Sequence, residues 1–426
     1  MSQDSPSAKP TGLSRRRLFQ GAGAGAIAGV AGGLAGGFAG GRASASDGGE
    51  GTAVGADTVD LTGRHEFYTG ARQVGVETPQ QRHCVMMTFD LTASTQQEFQ
   101  VLLARWSAGI ATMMAGRPVG AVQPMRADGV ADDTGEAYDL EPASLTVTLG
   151  LGPGVFDERF GLASKRPKLL RPLPSLPSDQ LKPALTGGDL CLQACADDPQ
   201  VAYHAIRDLA RMARGVANTR WTVLGFGRAS AGRGQSTPRN LMGFKDGTRN
   251  VKSRSDVEEY VWLEDGDDVD WMRHGTYQVV RKIEMDIEIW DSATISTQQR
   301  VFGRTKEQGA PLSGGTEFST PDFTATGAHA IDATAHVALA AHENNGGVRI
   351  LRRGYNFTDG INDVGQLDAG LLFIAFMKDP DQFVKLQTKL GSSDQLNEYI
   401  SHIGSGLFAV PPAPAKGHYI GEKLFT

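Results

Sequence analysis

The sequence predicts an α+β fold made of two ferredoxin-like halves, each with an antiparallel sheet. Residues 83–225 show strand and helix patterns in the order strand, helix, two strands, helix, strand, which is the order of a ferredoxin-like unit. Residues 276–410 repeat this order more loosely. We therefore divide the folded part into an N-terminal half, residues 65–225, and a C-terminal half, residues 226–426.

Two apolar periodicities define the elements of the N-terminal half. Alternating apolar residues, as in 83–90, predict strands. Apolar residues three or four positions apart, as in Phe99, Leu103, Trp106 and Ile110, predict a helix with one buried face. The predicted strands are 83–90, 144–150, 189–196 and 221–225, and the predicted helices are 94–115 and 198–217.

The C-terminal half shows the same periodicities around an irregular insertion. A long alternating segment predicts a strand, and a continuous apolar run predicts a buried one. The predicted strands are 276–287, 370–377 and 407–410, and the predicted helices are 288–305 and 379–390. The Pro-, Lys- and Leu-rich stretch 165–185 is expected to be a loop or lid.

The amino end is expected to be an export signal outside the fold. Residues 14–19, Ser-Arg-Arg-Arg-Leu-Phe, form a twin-arginine motif, and the Ala-Ser-Ala at 43–45 suits a signal-peptide cleavage site. The stretch between them is rich in Gly and poor in large apolar residues, which favours a cleaved signal over a retained anchor. We expect residues 1–45 to be the signal peptide, 46–64 a disordered leader, and the protein to be periplasmic, at the cell surface or extracellular.

Charge and cysteine content exclude several classes of protein. Residues 1–45 hold five basic residues and one acidic residue, so cleavage would change the net charge from -6 to -10. Such an acidic chain has no electrostatic basis for binding nucleic acid. Cys191 and Cys195 are four apart in a predicted strand, about 13 Å, which is too far for a disulfide. We interpret them, with Cys84, as packed thiols rather than metal ligands.

Two short stretches of the C-terminal half carry the chemistry. The first, residues 237–248, contains Gly-Phe-Lys-Asp-Gly at 243–247. The second, residues 335–354, begins with Ala-His-Val and ends with Arg-Ile-Leu-Arg-Arg-Gly. Together they supply a carboxylate, an imidazole and a guanidinium, and a haem enzyme that splits hydrogen peroxide needs these three groups.

These motifs resemble those of the dye-decolourising peroxidases, and the resemblance covers roughly residues 65–420. It implies the same two-halved fold, haem b in the C-terminal half, and oxidation of phenolic or dye-like donors by hydrogen peroxide. The chain looks like exported bacterial members of the family, some of which are linked to iron release from haem. An export signal also implies the twin-arginine machinery as a partner, while the sequence leaves the oligomeric state open, including a homo-oligomer.

The resemblance places the axial iron ligand at His336. Spacing alone does not choose among His329, His336 and His342, because all three lie close together. The residues that flank His336 and its position before Arg352 match the proximal His of the family. Ala338 stands where relatives often carry Arg, which puts a neighbouring contact in doubt but not the ligand.

Asp246 is the candidate proton carrier. The glycines at 243 and 247 let the backbone turn without a steric penalty, so that a carboxylate can approach the haem closely. Its ionised form would take a proton from one peroxide oxygen and deliver it to the other. Reference peptides titrate near 3.9 for Asp and near 6.5 for His, so we expect turnover to be best at acidic pH.

Arg352 is the candidate that stabilises charge on the departing oxygen and keeps Asp246 ionised. Arg353 is its rival, but adjacent residues of a strand point to opposite faces, and the resemblance places the distal Arg directly after Ile-Leu. Arg349 and Arg353 remain structural or propionate partners. The resemblance also implies three further residues at the haem, namely the distal aromatic Phe373, the propionate partner Arg304, and Gly247.

The sequence alone leaves two other functions open. An iron-release protein of an iron-uptake system would carry the same motifs, so the residues do not separate it from a peroxidase. A haem carrier without turnover is disfavoured, because a buried charged pair beside the cofactor has no use in a carrier and is costly to bury.

Overall fold

The computed structural model of the protein describes residues 59–227 and 237–426. The predicted signal peptide, residues 1–45, and most of the predicted leader therefore lie outside the described residues. The strands are β1 (His83–Leu91), β2 (Thr146–Leu151), β3 (Leu190–Ala196), β4 (Ala217–Phe226), β5 (Thr276–Met285), β6 (Leu351–Arg352), β7 (Tyr355–Ile361), β8 (Leu367–Met377) and β9 (Ile400–Val410). The α-helices are α1 (Gln96–Met114), α2 (Pro199–Met212), α3 (Arg254–Tyr260), α4 (Ile287–Ser292), α5 (Ile295–Phe302), α6 (His336–Ala340) and α7 (Asp381–Ser393).

Both halves have a ferredoxin-like strand order, although β6 and β7 of the C-terminal half were not predicted from the sequence. Every strand pairing in the two halves is antiparallel. In the N-terminal half the strands lie side by side as β4-β1-β3-β2. In the C-terminal half they lie as β7-β8-β5-β9, with the short β6 continuing the β7 edge of β8. The predicted fold class is confirmed.

The two sheets join edge to edge into one closed sheet, which the sequence did not indicate. β4 pairs with β7, and β2 meets β9 where Leu151 lies opposite Ala409. Alternate residues of strands from both halves, such as Met86, Val223 and Phe376, form one buried cluster between them. The helices α1 and α2 cover the outside of the N-terminal strands.

Local caps explain where the main helices of the N-terminal half begin. Thr95 and Glu98 form a capping box at α1, each side chain accepting the backbone N–H of the other residue at 3.2 Å. Asp198 caps α2 through the backbone N–H of Gln200 at 2.8 Å. The indole N–H of Trp106 donates to the Leu209 carbonyl at 2.8 Å and ties the two helices together.

The prediction of one helix over 288–305 is wrong, because the chain forms two short helices there. Ala293 is extended at φ -74° and ψ 141°, and the Thr294 side chain caps α5 by accepting the Thr297 N–H at 3.3 Å. The stretch 165–185 has no strand or α-helix, as expected of a loop. Cys84, Cys191 and Cys195 are free and buried, as predicted.

Among the residues that the structure describes, no helix has the length and apolar character that crossing a membrane requires.

Candidate functional site

The loop that carries Asp246 folds back on itself through backbone hydrogen bonds. The Asp246 N–H donates to the Pro238 carbonyl at 2.8 Å, and the Asn240 side chain accepts the Phe244 N–H at 3.1 Å. Gly247 has φ +114°, a region that residues with a Cβ rarely adopt. The glycine therefore allows the turn directly behind the carboxylate.

Asp246 and Arg352 form an ion pair across the site. Arg352 Nη1 lies 2.5 Å from Asp246 Oδ1, and the two side chains are 31% and 25% exposed. The second oxygen of Asp246 has no hydrogen-bond partner within residues 59–227 and 237–426. One carboxylate oxygen is thus held by the guanidinium, and the other is available to accept a proton.

Asn250, which the sequence argument missed, fixes the backbone of Arg352. Its side-chain oxygen accepts the Arg352 N–H at 2.8 Å, and its side-chain NH₂ donates to the Arg352 carbonyl at 2.7 Å. These two hydrogen bonds therefore replace the backbone bonds that a neighbouring strand would make with the short β6. Asn250 lies four residues after Asp246, so a longer version of the first motif would have included it.

His336 begins α6, and Asp394 supports its ring from behind. Asp394 Oδ2 lies 2.6 Å from His336 Nδ1, while Asp394 Oδ1 accepts the Leu396 N–H at 2.9 Å. Burial lowers the pKa of His336, and the Asp394 carboxylate more than offsets this, so the pKa lies above its ordinary value. Such a carboxylate–histidine pair fixes the tautomer and orientation of a metal-binding imidazole. No pattern in the sequence linked Asp394 to His336, since 58 residues separate them.

Three histidines line the same cavity, and their contacts distinguish them. His402 contacts Gln387 through Nε2 at 3.2 Å, and burial together with the neighbouring Arg281 lowers its pKa to about 3. His342 receives a hydrogen bond from Arg349 at 3.0 Å. Only His336, among the cavity histidines of the described chain, pairs Nδ1 with a buried carboxylate and leaves Nε2 without a partner.

The cavity brings together all six residues that the sequence singled out. It is about 240 Å³ in volume and lies in the C-terminal half, and its lining includes Asp246, Gly247, Arg304, His336, Arg352 and Phe373. The rest of the lining is mainly apolar and includes Ile283, Met285, Phe302, Leu371, Leu386 and Leu390. An apolar slot of this kind suits a flat hydrophobic cofactor.

Arg304 supplies a buried cation at the wall of this cavity. Its Nη1 donates to the carbonyls of Gly309 and Glu317 at 2.6 and 3.0 Å. Burial, and then the neighbouring Arg249, lower the pKa of Arg304. Its remaining donors have no partner in the described part of the chain, so the guanidinium can receive an anionic group such as a haem propionate.

The other two arginines of the second motif have structural contacts. Arg353 is buried and donates to the Thr78 carbonyl at 2.5 Å, whereas Arg352 pairs with Asp246. Arg349 Nη1 lies 2.7 Å from Asp256 Oδ2. An imidazole backed by a carboxylate, a charged pair and a buried cation around one apolar cavity fit haem, and together they define a haem protein.

Comparisons with known proteins give the family. Residues 73–227 match the family model "Dyp-type peroxidase, N-terminal", and residues 237–415 match "Dyp-type peroxidase, C-terminal". The chain therefore belongs to the Dyp-type peroxidase family. It is a haem peroxidase, an oxidoreductase that uses hydrogen peroxide and a reducing substrate, as the sequence motifs predicted.

Several relatives are similar along nearly the whole chain. A protein named deferrochelatase from Escherichia coli O157:H7 is 35% identical over 422 residues, which is 96% of each chain. The structure of DtpA from Streptomyces lividans is 39% identical with a TM-score of 0.78, and the match covers 86% of this chain and 98% of that one. A DyP-type peroxidase from Streptomyces coelicolor is 40% identical with a TM-score of 0.79, covering 85% and 98%.

Proposed function

We propose that this protein is an exported peroxidase that oxidises phenolic or dye-like donors, with Asp246 as proton carrier and Arg352 as charge stabiliser, and that His336 would bind the haem iron. The observation that carries the proposal is the 2.5 Å contact between Arg352 Nη1 and Asp246 Oδ1 in the cavity that His336 also lines. When bound, haem supplies the redox chemistry of the reaction.

Asp246 moves the proton. Its unpartnered oxygen accepts a proton from one oxygen of hydrogen peroxide and returns it to the other, which leaves as water. The ion pair with Arg352 holds the carboxylate in one orientation. A carboxylate on this glycine-bounded loop is therefore oriented before the substrate arrives.

Arg352 stabilises the negative charge that develops on the departing oxygen. Because Asn250 fixes both backbone polar groups of Arg352, the guanidinium is held in position at little reorganisation cost. On the other side, Asp394 keeps Nδ1 of His336 protonated and leaves Nε2 for the iron. Arg304 and Phe373 would hold a propionate and the ring plane of the cofactor.

Rapid mixing with hydrogen peroxide tests this assignment. Haem-loaded wild type and Asp246→Ala are mixed with one equivalent of peroxide, and the absorption spectrum is followed. We expect a rapid change in the Soret band in wild type and a slower change in the variant, with the haem content unchanged. An equally rapid change in both proteins would remove Asp246 from the mechanism.

A second candidate function is release of iron from haem, and the relatives named deferrochelatase favour it. The same cavity residues would serve both functions, so product analysis separates them. Incubation with haem and a reductant, followed by extraction, would yield intact iron-free porphyrin from an iron-release protein. Peroxide-dependent oxidation of a phenol such as guaiacol, without porphyrin release, supports the peroxidase.

Export through the twin-arginine pathway belongs to the same proposal and rests on residues 14–19 and 43–45. Replacing Arg15 and Arg16 by Lys should retain the protein in the cytoplasm, and amino-terminal sequencing of the exported form should begin at Ser46. A chain that still carries residues 1–45 outside the cytoplasm would instead support a retained anchor.

A further inference from the structure

Glu317 is a buried carboxylate that the proposed chemistry does not use. Its side chain is only 8% exposed, and it lies in the irregular segment after α5. Three side chains of the Asp246 loop point at it. Thr237 donates to Oε1 at 2.5 Å, Thr248 donates to Oε1 at 3.1 Å, and the Lys245 ammonium pairs with Oε2.

These donors lie on both sides of Asp246. Lys245 directly precedes it, Thr248 follows two residues later, and Thr237 lies at the start of the loop. One carboxylate therefore holds the loop at three points. Since the loop contains the left-handed turns at Gly243 and Gly247, it lacks the regular ladder of hydrogen bonds that fixes a strand or helix.

Glu317 also determines where the charge of Lys245 lies. Lys245 forms an antiparallel bridge with Arg239, and both Lys245 and Asp246 line the cavity. The Lys245 ammonium is 15% exposed and is neutralised by Glu317. Without this partner, an uncompensated cation would be buried beside Asp246.

The same residue contacts the wall of the cavity through its backbone. The Glu317 carbonyl accepts a hydrogen bond from Arg304 Nη1 at 3.0 Å. Arg304 lines the cavity together with Asp246 and His336. Glu317 is thus bonded by its side chain to the proton-carrier loop and by its backbone to a cavity arginine.

We propose that Glu317 is a positioning residue, whose ion pair with Lys245 and hydrogen bonds to Thr237 and Thr248 fix the Asp246 carboxylate for proton transfer. The inference rests on the proposed role of Asp246. Carboxylates that support a reacting group from behind contribute to rate by orientation, and losing such support typically costs about 10- to 100-fold.

The hydrogen bonds keep Glu317 charged where the enzyme is expected to work. Burial raises the pKa of Glu317, but the bonds from Lys245, Thr237 and Thr248 outweigh it and hold the pKa below its ordinary value. The carboxylate of Glu317 thus stays ionised at moderately acidic pH.

Variants on the two sides of the ion pair make the first test. Glu317→Gln and Lys245→Met should each slow the peroxide-dependent Soret change about tenfold, and Glu317→Ala about 100-fold. The double variant Glu317→Gln/Lys245→Met should be no slower than either single variant, because both changes break one contact. Glu136→Gln, which removes a carboxylate paired with Arg207 in the N-terminal half, is the matched control and should leave the rate unchanged.

The pH profile separates positioning from a loss of general stability. Arg352 and His336 face Asp246, and Lys245 and Arg304 face Glu317. Glu317→Gln leaves an uncompensated cation near Asp246, so the acidic limb of the rate profile should move to lower pH. Lys245→Met leaves an uncompensated anion, so the limb should move to higher pH. Equal shifts of the acidic limb in both variants, or no shift in either, would overturn the proposal.

Hydrogen exchange gives a readout that requires no catalysis. We expect backbone amides of residues 243–250 to exchange at least tenfold faster in Glu317→Gln than in wild type, with no change in α1 or α2. If wild type fails to react with peroxide, the proposed function fails, yet the exchange result still tests the contact. If wild type reacts and the Glu317→Gln rate, pH profile and exchange all match it, Glu317 has no positioning role. Should Glu317→Gln not fold, Lys245→Met carries the same measurements.

Discussion

Asp394 Oδ2 lies 2.6 Å from His336 Nδ1, and this contact determines which nitrogen of the ring is left for a metal. Because an ionised carboxylate only accepts hydrogen bonds, Nδ1 carries the proton and Nε2 keeps its lone pair. Asp394 is buried at the end of α7 and also accepts the Leu396 N–H, so the carboxylate itself is fixed. The imidazole is therefore oriented by the fold before the cofactor arrives.

Asp394→Asn should weaken cofactor binding while leaving the fold intact. The amide has one acceptor oxygen, so it can keep the bond to the ring but loses the bond that Oδ1 accepts from the Leu396 N–H. It also removes the negative charge that makes the imidazole a stronger ligand. We expect haem to transfer to a haem-free acceptor protein about 10- to 100-fold faster and the midpoint potential of the bound haem to rise. An unchanged transfer rate and potential would show that the carboxylate has no influence on the ligand.

Arg352→Lys should slow the peroxide reaction by about 100-fold, although the charge is kept. A lysine ammonium is a point charge and cannot supply the fixed fork with which the guanidinium contacts Asp246 and the developing anion. Stopped-flow absorbance under excess peroxide measures the rate. Arg220→Lys, in the Arg220–Asp90 surface pair, is the control and should match wild type. A loss in Arg352→Lys of less than threefold would indicate that charge alone suffices.

The rate with phenolic donors should be highest at acidic pH. A carboxylate proton carrier works at lower pH than an imidazole carrier, because Asp titrates near 3.9 and His near 6.5 in reference peptides. Steady-state oxidation of a phenol between pH 3 and 9 gives the profile. A maximum well above neutrality would contradict the assignment of proton transfer to Asp246.

The folded protein should lose stability as the pH rises from about 6.5 to 9, because of His204 in α2. His204 Nε2 lies 3.0 Å from Asp133 Oδ1 and 2.9 Å from Asp208 Oδ2. Burial lowers the pKa of His204, but bonds to Asp208 and Asp133 outweigh it and raise the pKa to about 9. Because the pKa is higher in the folded protein, protonation of His204 stabilises the fold. This stabilisation is complete below the unfolded pKa of 6.5 and is lost above 9, so that the free energy of unfolding falls by about 3 kcal/mol between these limits.

Chemical denaturation at pH 6 and pH 9.5 checks this pH dependence. Wild type should be less stable at the higher pH, and His204→Gln should be destabilised at pH 6 with a much smaller change between the two conditions. A pH dependence that is the same in both proteins would assign it to other groups.

Some residues of the site could be predicted from the sequence, and others could not. Asp246, Arg352 and His336 belong to contiguous motifs, so their residue types and neighbours were enough to select them, and the structure brings all three to one cavity. Asp394 and Glu317 carry no such pattern, since each meets its partner only through contacts between segments distant in the chain. Asn250 lay just beyond the first motif and contacts Arg352 from 102 residues away.

By itself, the sequence determined the secondary-structure order of the N-terminal half and the chemical groups of the site, because periodicity and motif residues are local properties of the chain. In the C-terminal half it missed β6 and β7 and merged α4 and α5 into one helix. It did not determine the closed sheet, in which the edges β2 and β4 of one half pair with β9 and β7 of the other. Edge strands present unpaired backbone groups, and which edges pair depends on the packing of the whole molecule. Only the tertiary structure could place Asp394 behind His336 and Glu317 behind Asp246, because both contacts join segments that are far apart in the sequence.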